Sequence, residues 1–201
     1  MTQEHATLRQ AALERATRET RIEAFVRLDG AGRADISTGV GFLDHMLTAL
    51  TVHGRLDVTL RCQGDLHVDD HHTAEDCAIV LGQCIDRALG DRSGIERFGW
   101  ALVPMDEALA RAAVDLVTRS VCVVRLGLRR ERLGELSSEN VGHVIWSLVS
   151  NARCVAHVDV LRGRNDHHRA EAAFKALAVA LRQAVARSGR PAADNSTKGV
   201  L

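Results

Sequence analysis

The chain has 201 residues, 26 Lys and Arg against 26 Asp and Glu, and a formal net charge of zero. That balance excludes general nucleic-acid binding, which needs a basic surface to displace counterions, and an aromatic content of 3% argues against base stacking as a recognition mode. No apolar run approaches the roughly eighteen residues of a membrane helix, so no membrane association is expected.

The first 21 residues are too charged for a secretory signal, which makes the cytoplasm the expected location. Residues 1–17 read as a polar, helix-prone leader, loosely ordered at its start. Residues 22–29 read as a strand, 30–32 as a glycine turn and 34–38 as a second strand. Residues 42–53 have helical spacing, with Phe42, Met46, Leu47 and Leu50 on one face. A strand at 56–60 and a helix from about 72 to 89 follow. The polar, glycine-rich segment 90–99 marks a boundary between halves. Beyond it the pattern predicts strands at 112–117 and 121–128, a helix near 138–151, a strand at 155–161 and a helix at 167–187. The tail, 188–201, is polar and turn-rich apart from its last two residues. The five cysteines form no C-x-x-C pair and read as free, buried thiols.

This order repeats itself. His71-His72-Thr73-Ala74-Glu75 matches His167-His168-Arg169-Ala170-Glu171, and the helices they open share apolar positions at a constant offset of 96. Ala74, Cys77, Ala78, Leu81, Ile85 and Ala88 correspond to Ala170, Ala173, Phe174, Leu177, Leu181 and Ala184. Upstream, His45 precedes the first pair by about as much as His143 precedes the second. The predicted fold is α+β with duplicated halves, each a small, mostly antiparallel sheet packed with two helices. The domain expected is a single unit over 1–201, made of pseudo-repeats at about 18–93 and 94–187 plus the tail.

On a helix, residues i and i+4 share a face, so His71 and Glu75 converge, as do His167 and Glu171. Adjacent residues are about 100° apart, so the two histidines of each pair diverge. The pattern therefore points to two metal ions, each taking a His/Glu pair from one half and the outward-turned second His of the other motif. His45 and His143 add one imidazole to each. The resulting sets are His71, Glu75, His168 and His143, and His167, Glu171, His72 and His45. Such donors suit a divalent first-row metal, and coordination positions left open for substrate favour Mn over closed tetrahedral Zn. On the residues alone, a di-metal hydrolase of phosphate esters and a metal-storage or metal-sensing protein remain open.

The segments DISTGVGFLDHML (35–47), GDLHVDDHHTAED (64–76), VPMDEALARAAVDL (103–116), HHRAEAAFKALAVALRQAV (167–185) and STKGVL (196–201) resemble imidazoleglycerol-phosphate dehydratases. RET (18–20) and RFG (97–99) match as well, so the resemblance runs from about Arg18 to Leu201. It implies a hydro-lyase that converts imidazoleglycerol phosphate to imidazoleacetol phosphate and water in histidine biosynthesis. It also implies two Mn ions per active site and a homo-oligomeric 24-subunit shell with sites at subunit interfaces. The family's metal ligands fall on His45, His71, His72, Glu75, His143, His167, His168 and Glu171. Its phosphate-binding positions fall on Arg97, Arg119, Ser196 and Lys198, and an acidic residue, the candidate acid/base, on Glu19. The chemistry implied is a metal-bound imidazolate that expels the neighbouring hydroxyl through a diazafulvene-like intermediate. The chain departs from the family at Val117-Thr118-Arg119-Ser120, and at Val144 and Ile145, where two aromatics are common. The segments 128–136 and 190–195 are also its own.

Overall fold

The computed structural model describes residues 8–188 and builds two halves of matching topology. The first runs β1 (Gln10–Ala16), β2 (Thr20–Arg27), β3 (Ala34–Ser37), α1 (Gly41–Gly54), β4 (Asp57–Gly64) and α2 (His71–Leu89). The second runs β5 (Phe98–Met105), β6 (Ala108–Asp115), β7 (Val121–Arg125), then the two-residue strands β8 (Arg132–Leu133) and β9 (Leu136–Ser137). It continues with α3 (Ser138–Asn151), β10 (Val155–Arg162) and α4 (Asp166–Val185). The sheets have equivalent orders, β1-β2-β4-β3 and β5-β6-β10-β7. In each, two antiparallel pairings are followed by one parallel pairing, β3 with β4 and β7 with β10. The duplicated α+β reading therefore holds, and the β8–β9 hairpin is an addition to the second half.

The helices exchange partners between halves. α2 packs on β1 and β2, and α4 on β5 and β6, each covering its own sheet. α1 of the first half packs against α4 of the second, and α3 of the second against α2 of the first. The apolar positions shared by the repeats explain this. Phe42, Met46, Leu47 and Leu50 are all buried, as are Cys77, Leu81 and Ile85 on α2 and Phe174, Leu177 and Leu181 on α4. Burying a side chain of that size contributes about 1.5–3 kcal/mol, which fixes which face each helix turns inward. Glycine sets two of the closest approaches. A Cβ on Gly99 of β5 would stand 1.9 Å from the carbonyl oxygen of Ala180 on α4, and one on Gly82 of α2 would stand 2.5 Å from that of Leu148 on α3.

Three strand assignments differ from the sequence reading. Residues 10–16, expected in a helix-prone leader, form β1, paired antiparallel with β2 from Gln10↔Arg27 to Ala16↔Arg21. Its Ala, Leu, Glu and Arg favour helix locally, but Ala11, Leu13 and Arg15 alternate inward. Pairing and packing on α2 override the local propensity. β5 was hidden by Gly99 and Pro104; it is an edge strand, where a proline without an N–H is tolerated. The β8–β9 hairpin is too short to leave a periodic signal. All five cysteines are free, as expected, but only Cys77, Cys84 and Cys154 are fully buried.

Candidate metal centres and active site

Both His-His pairs sit in the first turn of a long helix, and the chain anchors them alike. Asp69 and Asn165, at equivalent positions, each accept the backbone N–H of the first histidine, at 2.8 and 2.9 Å. As helical geometry requires, the rings of each pair diverge, with His71 and His72 centroids 6.0 Å apart and His167 and His168 centroids 6.2 Å apart.

The first histidine of each pair joins a cluster across the helix contact between halves. On α1 and α4, His45, His167 and Glu171 bring one ligand atom each within 4.8 Å of one another. On α2 and α3, His71, Glu75 and His143 do the same. Glu171 Oε2 lies 3.2 Å from His167 Nε2 and 3.4 Å from His45 Nε2. Glu75 Oε1 lies 2.9 Å from His143 Nε2, and its Oε2 is 3.9 Å from His71 Nε2. Two imidazole nitrogens and a carboxylate oxygen converging in each place fit a divalent first-row ion, with coordination positions to spare.

The two clusters are not electrostatic twins. Lys175 Nζ stands 2.6 Å from Glu171 Oε1. Burial alone would raise the Glu171 pKa, but Lys175 and His45 outweigh it and hold the group below its ordinary range. The position equivalent to Lys175 in the first half is Ile79. The aromatic support also differs. Phe42 meets His167 edge-on at 5.2 Å, whereas Trp146 stacks on His143 at 5.7 Å and His143 stacks on His71 at 5.1 Å. Val144 and Ile145, which interrupt the family's aromatic pattern, are fully buried instead.

The second histidines, His72 and His168, belong to neither three-residue cluster. His72 Nδ1 lies 3.0 Å from Asp65 Oδ2, and its Nε2 lies 3.8 Å from Glu19 in the β1–β2 turn. His168 Nδ1 lies 2.8 Å from Glu107 Oε2, and its Nε2 lies 3.6 Å from Asp106 in the β5–β6 turn. The Asp65 and Glu107 carboxylates raise the pKa of their imidazoles. Glu107 is itself pulled down to about 2 by the Asn165 amide, His168 and the Arg164 amide. A cavity of about 680 Å³ opens beside His168, lined also by Arg129, Arg130 and Arg164.

Arg97 and Arg119 lie elsewhere. Arg97 N donates to the Ala184 carbonyl at the C-terminal end of α4, and its side chain pairs with Asp115 through Nε at 2.7 Å and Nη2 at 3.1 Å. From His167 to Ala184 the helix rises about 25 Å. Arg119 is exposed in the β6–β7 loop, next to Ser120, whose hydroxyl donates to Ser150 at the C-terminal end of α3. Both arginines are therefore at the opposite end of the helices from the clusters of the same chain. Ser196 and Lys198 lie outside the described residues.

Sequence reasoning did not single out Asp65, Asp70, Glu107 or Asn140, which hold the histidines from outside. One signal was available: the repeat extends one residue upstream, to Asp70-His71-His72 and Asp166-His167-His168. Asp70 accepts from Ser137 N and Oγ, both at 2.7 Å, and from Asn140 Nδ2 at 2.9 Å, fastening the start of α3 to that of α2. Asp166 accepts from the Arg129 and Arg130 amides, both at 2.7 Å.

A family model described as imidazoleglycerol-phosphate dehydratase matches residues 38–181. A protein of that name from Phytophthora nicotianae is 57% identical over 197 residues, covering 96% of this chain, which spans 43% of that longer protein. One from Salinibacter ruber is 54% identical over 193 residues, covering 96% of each chain. The crystal structure of the Staphylococcus aureus enzyme of that name superposes with a TM-score of 0.80 at 36% identity, covering 89% of this chain and 99% of that one. With matched segments that include both His-His pairs and both clusters, the chain belongs to the imidazoleglycerol-phosphate dehydratase family.

Proposed function

We propose that this protein is a hydro-lyase that removes water from imidazoleglycerol phosphate to give imidazoleacetol phosphate, in histidine biosynthesis. The observation that carries the reading is the pair of equivalent His/His/Glu clusters, built at the same helix contacts in both halves of a chain of this family. His45, His167 and Glu171 hold one divalent ion, most simply Mn, and His71, Glu75 and His143 the other. When bound, the ions supply positive charge that stabilises an electron-rich imidazole ring.

The chain's own residues supply the rest. His72 and His168 complete the coordination of sites to which other chains contribute. Glu19, exposed and beside His72, exchanges a proton with the substrate's carbon skeleton, taking it from C–H as the hydroxyl departs as water. Arg97 and Arg119, with Ser196 and Lys198, grip the phosphate by charge-assisted hydrogen bonds. The distance of both arginines from the clusters of their own chain supports sites shared between subunits, since a phosphorylated imidazole is far too short to span a whole helix. Self-association into the family's 24-subunit shell satisfies that requirement. Phe98, Trp100 and Leu102, all exposed along the outer face of β5, offer apolar surface for such contacts. No helix among the described residues is long and apolar enough to cross a membrane, which accords with a cytoplasmic enzyme.

A di-metal phosphatase would use similar ligands but release inorganic phosphate; the family match favours the dehydratase. The test is metal dependence. Chelation abolishes conversion of imidazoleglycerol phosphate and added Mn restores it; full turnover by metal-free protein contradicts the reading.

A further inference from the structure

His72 and His168 each present Nδ1 to a carboxylate, Asp65 Oδ2 at 3.0 Å and Glu107 Oε2 at 2.8 Å. An ionised carboxylate only accepts hydrogen bonds, so the Nδ1 facing it must carry a proton. In the neutral ring the lone pair then resides on Nε2. The same logic reaches His71 through one intermediate. Asp70 accepts from Asn140 Nδ2, so the amide's oxygen is the end that meets His71 Nδ1, at 3.0 Å. That contact again requires a protonated Nδ1. Three of the four paired imidazoles are thereby held in one tautomer by side chains outside the candidate ligand set.

We propose that Asp65, Glu107 and the Asp70–Asn140 pair are positioning residues, which fix Nε2 as the metal-donor atom of His72, His168 and His71 before an ion arrives. The proposal rests on the reading that these histidines ligate metal. The arrangement is duplicated in role but not in sequence. Asp65 lies between β4 and α2, whereas Glu107 lies in the β5–β6 turn, so each half reaches the same hydrogen bond by a different loop. Such partners orient the ring and raise its basicity, and removing one typically weakens metal binding about 10- to 100-fold.

Glu107→Gln is the decisive variant. Glu107 Oε1 accepts from the Arg164 and Asn165 amides at 2.9 and 2.8 Å. Glutamine retains one oxygen for those amides and turns its NH2 towards His168. His168 Nδ1 must then accept, which moves the ring proton to Nε2. Asp65→Asn is less informative: Asp65 Oδ1 is buried without a hydrogen-bond partner, so asparagine can present its oxygen to His72 and keep the original tautomer.

The experiment follows Mn binding by the EPR signal of the free ion, and the tautomer of His168 by solid-state 15N spectra of histidine-labelled, metal-free protein. The resonance is assigned from its loss in His168→Asn. Glu107→Gln is expected to weaken Mn binding at the affected site about 10- to 100-fold and to shift His168 to the Nε2–H form, with an unchanged melting temperature. Wild-type Mn affinity in Glu107→Gln, alongside weakened binding in His168→Ala, overturns the positioning role and leaves the metal-site reading intact. Unchanged binding in His168→Ala overturns that underlying reading. If Glu107→Gln does not fold, the wild-type spectrum still decides: a neutral His168 protonated on Nε2 refutes the proposal.

Discussion

His143 reaches from α3 of the second half to place Nε2 2.9 Å from Oε1 of Glu75 on α2 of the first. His45 makes the reciprocal crossing to Glu171 on α4, at 3.4 Å. Each cluster therefore depends on the docking of one half against the other. His143→Ala and His45→Ala should each remove one donor of three and lower bound Mn from two ions to one per chain, measured by elemental analysis after dialysis. Retention of two ions in both variants would contradict the assignment of these clusters as metal sites.

Gly82 decides how closely α2 and α3 approach. In Gly82→Ala the new Cβ meets the Leu148 carbonyl oxygen at 2.5 Å and the Ala152 nitrogen at 2.9 Å. Those are backbone atoms and cannot swing aside. A cost of about 1–3 kcal/mol is expected in urea denaturation, as for other overpacked sites. Because the same contact joins His71 and Glu75 to His143, Mn affinity should fall as well. An unchanged midpoint would show that the helices separate freely.

Asp57 ties the turn after β2 to the start of β4. Its Oδ1 accepts from Ala31 N at 2.8 Å and Arg33 N at 3.1 Å. Burial pushes its pKa up, but those two amides, with the charges of Arg33 and Arg27, hold it below the ordinary value of 3.8. A lowered folded-state pKa means that the unfolded chain binds the proton more readily, so stability rises with pH through this window. The contribution is complete above the unfolded pKa, about 4, and is lost as pH falls through the folded one. Asp57→Ala should therefore cost about 1 kcal/mol at pH 7. The gap to wild type should narrow below about pH 4, as read from denaturation midpoints across pH. A gap independent of pH would show that Asp57 is protonated alike in both states.

Much of this was legible because the repeat is written in the helices. The HHxAE motifs and the apolar positions after them specify α2 and α4, and i,i+4 spacing puts each Glu beside its first His. Matching His45 and His143 by their offsets from the pairs was enough to group them with the right helices. β1 was illegible because its residues favour helix until β2 and α2 are in place. Asp65, Glu107 and Asn140 were illegible for a related reason. They lie in loops or across a helix contact, and only the folded chain brings them to Nδ1 of the histidines they hold. The place of His72 and His168 apart from the clusters was likewise a matter of tertiary packing, since helical geometry says only that they turn away.

The central claim is that two equivalent metal clusters serve a dehydration that leaves the phosphate in place. Mass spectrometry of imidazoleglycerol phosphate after incubation with Mn-loaded protein tests it most directly. The account predicts a product lighter by one water with its phosphate retained. An unchanged mass, or release of inorganic phosphate, would contradict it.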